Sequence, residues 1–258
     1  MLGRILVYRY AIAAGLISWT SLFLMQRFTL VWVFILTLSL FTASILGLYY
    51  LTTKQSSAER RYLPILFTTM IAFVGLTSLI EWTILRSFLD VLSGAAVMLL
   101  FVLRLHSSSA LRYEQKPWRR MLMILWIFDG YAIVTTIFAF GLLFLNIPFW
   151  IFSLLGGMLF GYCSLMIWKM YFVNKPNQFI LWVLIISMVM LEVIWVAHFL
   201  PLGHLALGLI VTWLWYIIQL LVRFHLSSMH IIWKKQCWFL ISNAILYAFF
   251  LFFVVRWI

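Results

Sequence analysis

The chain has 258 residues, of which 66% are hydrophobic and 9% charged, and it carries a formal net charge of +12. Soluble domains hold roughly 25% charged residues and must cover themselves with polar side chains, so this composition excludes a soluble globular fold. Apolar runs of about 18 residues or more recur from end to end without strand-like alternation, which points to transmembrane helices rather than an outer-membrane barrel.

In chain order, nine spans are expected, at 5–25, 28–53, 62–85, 87–105, 121–144, 147–170, 178–199, 203–223 and 237–256. The first is span-length and lacks a small-residue cleavage site, so it is expected to be the first helix rather than a removed signal. The predicted fold is therefore all-α, a polytopic helix bundle forming a single transmembrane domain over 1–258. All five prolines (Pro64, Pro117, Pro148, Pro176, Pro201) fall at span ends, where a missing N–H does little harm.

The connections alternate in character. Short turns are expected at Gln26-Arg27, around Arg86, at Asn146-Ile147-Pro148 and at 200–204. Longer basic loops occupy 54–61, 104–120, 169–178 and 223–236. Every Lys and Arg except Arg27, Arg86 and Arg256 lies in those longer loops or near the N-terminus. The positive-inside rule then puts the N-terminus and long loops in the cytoplasm and the short turns and C-terminus outside, in a bacterial-type plasma membrane. The same basic face is expected to meet anionic lipid headgroups, and it offers a surface to a protein partner. In a membrane protein the positive charge does not call for nucleic acid.

An internal repeat is suggested by two similar exits. One span leaves through Arg104, His106, Ser107 and Ser108, another through Arg223, His225, Ser227 and Ser228, and each follows a helix with an acid near its outer end, Glu81 or Glu192. Read as a repeat, 1–110 and 118–228 are parallel copies of four spans, with 237–256 as an added helix. Convergence explains the same similarity, because inward-going helices favour Arg and His at their C-terminal ends.

Four of the six acids lie in or beside the spans. An acid at the bilayer centre costs roughly 2.5–3.5 kcal/mol on insertion scales, so it is expected to be paired, protonated or used. Glu81 and Asp90 flank Arg86 and are expected to form a structural ion pair with it. Glu192 lies about two-thirds of the way along its span, with His198 and His204 following. Asp129 has no base nearby in its own helix, only Tyr131 and Thr136. Glu192 and Asp129 are thus the candidate proton or substrate sites. Ser153, Gly157 and Gly161 recur every four residues, a small-residue face expected to let two helices pack closely.

Enzymatic signatures are missing from the sequence. There is no GxSxG, HExxH or Gly-rich phosphate loop, and no acid is in register to orient His106 or His225 beside Ser107 or Ser227. Cys163 and Cys237 have no metal-ligand or redox spacing. No catalytic residue, metal or cofactor is expected. The stretch Glu192-x-x-Trp195-x-x-x-Phe199-Leu200-Pro201-Leu202-Gly203, followed by an aromatic span with Tyr216, resembles uncharacterised bacterial multi-pass membrane families of unknown function. That resemblance implies no substrate. Two functions follow from the residues themselves. One is a small transporter or permease-like protein using intramembrane acids as proton or cation sites. The other is a non-catalytic membrane scaffold or assembly partner with a basic cytoplasmic face.

Overall fold

A computed structural model of the chain describes residues 2–27, 31–53, 62–106, 116–144, 146–171, 176–226, 233–249 and 252. Within them the chain is helical and has no strand. The helices are α1 (Leu2–Met25), α2 (Val31–Thr53), α3 (Leu63–Leu79), α4 (Thr83–His106), α5 (Lys116–Leu143), α6 (Phe149–Tyr171), α7 (Pro176–Ala197), α8 (His204–Leu226) and α9 (Trp233–Phe249). Helices are the natural outcome for uniformly apolar segments, since a bilayer offers the backbone no water and each helix satisfies its own N–H and C=O groups. Five stretches are long and apolar enough to cross a membrane: Thr83–Leu103, Arg119–Leu143, Phe149–Tyr171, Phe179–Ala197 and His204–Leu226. The chain is a helical integral membrane protein. The basic loops around 54–61, 107–115, 172–175 and 227–232, with Ser107, Ser108, Ser227 and Ser228, lie outside the described residues, as do the side chains of Arg104 and His106.

One helix boundary departs from the expected turn around Arg86. Helix α3 ends at Leu79, where Ile80 turns extended (φ −93°, ψ 117°), and α4 begins at Thr83. Arg86 therefore sits inside α4, its backbone N–H bonded to the Trp82 carbonyl at 2.9 Å. The physical reason is visible in its side chain. The Arg86 Nε donates to the Thr77 carbonyl at 3.3 Å, satisfying one of the last-turn carbonyls that the end of α3 leaves open.

The chain divides into two compact units, Met1–Asp129 and Gly130–Ile258, with the boundary inside α5. In the first unit α1 packs against both α2 and α4, and α3 against α4. The α1–α4 crossing is the closest. A Cβ on Gly15 would stand 2.8 Å from the Gly94 carbonyl oxygen, and one on Gly94 equally close to that of Gly15. Ala11 and Ala14 are fully buried on the same face of α1, and the Ser18 hydroxyl donates to the Ser93 hydroxyl at 3.3 Å. Small side chains let two backbones approach until dispersion and short polar contacts hold them, in place of the hydrophobic effect that lipid does not supply.

The second unit has its own close pair, α6 and α7, with α8 packed beside both. A Cβ on Gly157 would lie 2.5 Å from the Ser187 carbonyl oxygen, and one on Gly161 would collide with the Ser187 side chain. Ser153 is buried on the same stripe of α6. The face of Ser153, Gly157 and Gly161 is thus turned inward, and its glycines meet α7 within the same chain. Trp215 of α8 packs on Phe160 at 4.9 Å between ring centroids and donates its indole N–H to the Ser164 hydroxyl at 2.8 Å. Helix α9 joins α8 through Trp213, whose indole N–H donates to the Asn243 side-chain oxygen at 3.2 Å and whose ring meets Tyr247 edge-on.

Candidate functional site

Asp129 lies near the middle of α5 and is completely buried, 0% exposed. Two threonines of α3 converge on one of its oxygens. The Thr69 hydroxyl donates to Oδ2 at 2.8 Å and the Thr68 hydroxyl reaches the same atom at 3.0 Å. Thr68 has a choice, because its hydroxyl also stands 3.1 Å from the Pro64 carbonyl and 3.0 Å from that of Ile65. A hydroxyl has one proton to give, so Thr69 is the committed donor and Thr68 is shared with its own helix. The other oxygen, Oδ1, has no hydrogen-bond partner among the described residues. Phe73 and Phe128, from the same two helices, pack with ring centroids 4.9 Å apart and planes tilted by 39°.

This arrangement has a definite chemical consequence. No described cation stands within ion-pair distance of Asp129, and a bare carboxylate in an apolar interior costs several kcal/mol or more. Two hydroxyls offset part of that cost on one oxygen only. The group is built to hold a proton on Oδ1, or to contribute oxygens to a bound cation alongside the threonines. Neither Tyr131 nor Thr136, the polar neighbours in sequence, takes part. Thr136 bonds the Ala132 carbonyl of its own helix at 2.8 Å. The two threonines carried no signal in the sequence, since they bond across helices and an isolated Thr-Thr pair in an apolar span is common.

The other acids go to different places. Asp90 is 1% exposed, and both its oxygens accept from the side-chain amide of Gln26 at the end of α1, at 2.7 and 2.8 Å. The Arg86 Nε donates to the Thr77 carbonyl while its charge also acts on Asp90, and Glu81 is exposed in the α3–α4 connection. The ion pair expected among Glu81, Arg86 and Asp90 is not made as a direct contact. Gln26 neutralises the hydrogen-bonding demand of Asp90 first, and its role is invisible in a sequence that marks it only as a turn residue.

Glu192 is exposed on α7, on a stripe with Met188, Trp195, Val196 and Phe199. It makes no hydrogen bond with His198 or His204 among the described residues. His198 instead stacks flat on Phe149, ring centroids 3.8 Å apart and planes 11° from parallel. Asp129 and Glu192 fall in different units.

The second unit also holds buried polar groups with no partner among the described residues: both amide atoms of Gln219, the Thr212 hydroxyl and the Trp168 indole N–H. Thr212, Trp215 and Gln219 share one face of α8, spaced three and four residues apart. Among the described residues no group of three or more His, Cys, Asp or Glu could hold a metal. No protein-family model, no curated protein and no solved structure matches the chain.

Proposed function

We propose that the protein is a small transporter or permease-like membrane protein in which Asp129 is the proton or cation site. One observation carries this reading. A fully buried carboxyl stands at mid-helix with one oxygen held by Thr69 and Thr68 and the other without a partner among the described residues. Such a group has little structural value, because an apolar residue of similar volume would pack there without desolvating a charge. It is the kind of group that pumps and transporters use to take up and release a proton or a monovalent cation within the membrane.

Around that site we propose nine membrane spans, with the N-terminus and basic loops cytoplasmic and the C-terminus outside. The charge asymmetry of the loops supports that orientation. For a parallel repeat of four spans the helix pairing gives no support. The close pair is α1–α4 in the first unit and α6–α7 in the second, and these do not correspond under such a repeat. The test of function is ion flux in proteoliposomes. Wild-type protein is expected to carry proton- or sodium-dependent current, Asp129→Asn to abolish it, and Thr69→Val to reduce it. Wild-type vesicles that carry none, or Asp129→Asn vesicles that carry as much as wild type, end the proposal.

A second reading, a membrane scaffold or assembly partner, is favoured by Glu192. A carboxylate on the apolar outer stripe of α7 is best satisfied by a base on a neighbouring helix, and the basic face including Arg119 and Arg120 suits a docked protein or anionic lipid. Its test is co-purification of a defined partner that is lost on Glu192→Leu or on replacing Arg119 and Arg120 by alanine.

A further inference from the structure

We infer that a cavity at one end of the first unit is a binding site for a phosphate oxyanion, anchored by the Arg86 guanidinium. The cavity has a volume of about 230 Å³ and is lined by Leu22, Met25, Gln26, Val74, Thr77, Ser78 and Arg86. Its position is set by three helix ends: the last turn of α1, the last turn of α3 and the first turn of α4. That places it at the level where a membrane helix meets headgroups and water, not at mid-bilayer. The site is separate from the one proposed around Asp129 and does not depend on it.

The polar groups around the cavity are arranged so that the positive charge remains available. Arg86 is half-buried, and its one hydrogen bond among the described residues leaves from Nε to the Thr77 carbonyl. The two terminal nitrogens, with four N–H groups, have no hydrogen-bond acceptor among the described residues. The obvious competitor, Asp90, is engaged elsewhere. It is 1% exposed, and both of its oxygens share one proton of the Gln26 side-chain amide. No hydrogen bond joins Asp90 to the guanidinium, although the two charges are close enough to attract each other. One hydrogen bond and a through-space attraction to Asp90 return part of the hydration this half-buried guanidinium has lost, and an oxyanion would supply the rest.

The class of ligand follows from the donors. A guanidinium presents a planar pair of N–H groups that matches two oxygens of a phosphate or carboxylate. The hydroxyls of Thr77 and Ser78 now donate to the Phe73 and Gly75 carbonyls at 2.7 and 2.6 Å. Those carbonyls belong to a helix that already satisfies them, so rotation of either hydroxyl offers a donor to a third oxygen. Three or more donors in a cavity of this volume suit a phosphoryl group better than a carboxylate, which fills less space and has two oxygens. Leu22, Met25 and Val74 form the apolar remainder of the wall. That lining fits the glycerol end of a lipid headgroup, and free phosphate shares the same recognised chemistry.

The experiment uses the full-length protein, stripped of lipid, in a phosphate-free maltoside detergent. Inorganic phosphate is titrated in one arm and a short-chain phosphatidylglycerol in the other, and the unfolding midpoint is followed by tryptophan fluorescence. A saturable rise with phosphate alone assigns the site to the free ion, and a rise with the lipid alone assigns it to a headgroup; either supports the site. Arg86→Gln is expected to weaken the response at least about tenfold, and Arg86→Lys to weaken it less, because charge is kept and the fork is lost. Ser78→Leu, at an exposed position that closes the cavity mouth, is expected to abolish the response without touching the guanidinium. Arg27→Gln, which removes an exposed cation at the same end of α1, is expected to leave it intact. No response to either probe, or equal responses from wild type, Arg86→Gln and Ser78→Leu, overturns the inference.

Discussion

Thr69 of α3 donates its hydroxyl to the Oδ2 of Asp129 of α5 at 2.8 Å, joining two helices sixty positions apart in the chain through one buried bond. The bond fixes which carboxyl oxygen is held and which is left for a proton or cation. Thr69→Val keeps the volume and removes the donor. A net hydrogen bond to a neutral acceptor is worth about 0.5–1.5 kcal/mol, so the variant is expected to unfold more readily by an amount in that range. Asp129→Asn should cost less, since the amide oxygen still accepts from Thr69. Unfolding midpoints of the two variants in one detergent check the order.

Gln26→Leu tests the other buried acid. It removes both bonds to Asp90 and leaves a carboxylate 1% exposed with no amide to hold it. Loss of the partner should destabilise the first unit by about 1–3 kcal/mol or more. The double variant Gln26→Leu with Asp90→Leu should recover much of that loss, because removing both partners removes the unpaired group. Equal stability of Gln26→Leu and wild type in chemical unfolding would contradict the assignment of Gln26 as the partner of Asp90.

Glycines at helix crossings should rank by what a new Cβ meets. At Gly157 the nearest atom is the Ser187 carbonyl oxygen of the α7 backbone, at 2.5 Å, so Gly157→Ala must push two helices apart. Such overpacking costs about 1–3 kcal/mol. At Gly156 the nearest atom is the tip of Ile194, which can rotate, and the cost should be smaller. At Gly47 nothing lies within 4 Å, and Gly47→Ala should stabilise α2 by about 0.5–1 kcal/mol through helix propensity. Thermal unfolding of the three variants should give that order, with Gly47→Ala above wild type.

Gln219 is fully buried in α8 with both amide atoms lacking partners among the described residues. A structural amide in that state is a liability, and Gln219→Met, close in volume, is expected to raise stability by about 1 kcal/mol or more. If the variant is instead destabilised, the amide is bonded in the working protein. Repeating the flux measurement with the same variant then reports whether that bond serves transport.

Several features could be read before any coordinates. The apolar runs placed nearly every helix to within a few residues, because hydrophobic length is set by the bilayer and survives any arrangement of the helices. The α3–α4 boundary escaped. Glu81 and Trp82 were expected inside the 62–85 span and Arg86 in the turn after it, whereas the bonds from Arg86 to Trp82 and Thr77 show that the arginine belongs to the next helix and closes the previous one. Gly15 and Gly94 were equally hidden. Each is a single glycine in an apolar helix, and their reciprocal contact exists only once α1 and α4 cross.

By itself, the sequence determined that this is a helical membrane protein, roughly where most of its helices lie, and that Asp129 is an acid in a place that penalises acids. These are properties of one segment against one solvent, so composition and length suffice to decide them. The tertiary structure decided the partners. It gave Asp129 two threonines, gave Asp90 a glutamine as its hydrogen-bond partner, placed Arg86 in the wall of a cavity, and put Glu192 on an outer stripe of α7. Each of those outcomes depends on a side chain from a helix distant in sequence. In an apolar span the few polar residues carry no periodic signal of where they point, so which of them meet is fixed only by how the helices pack.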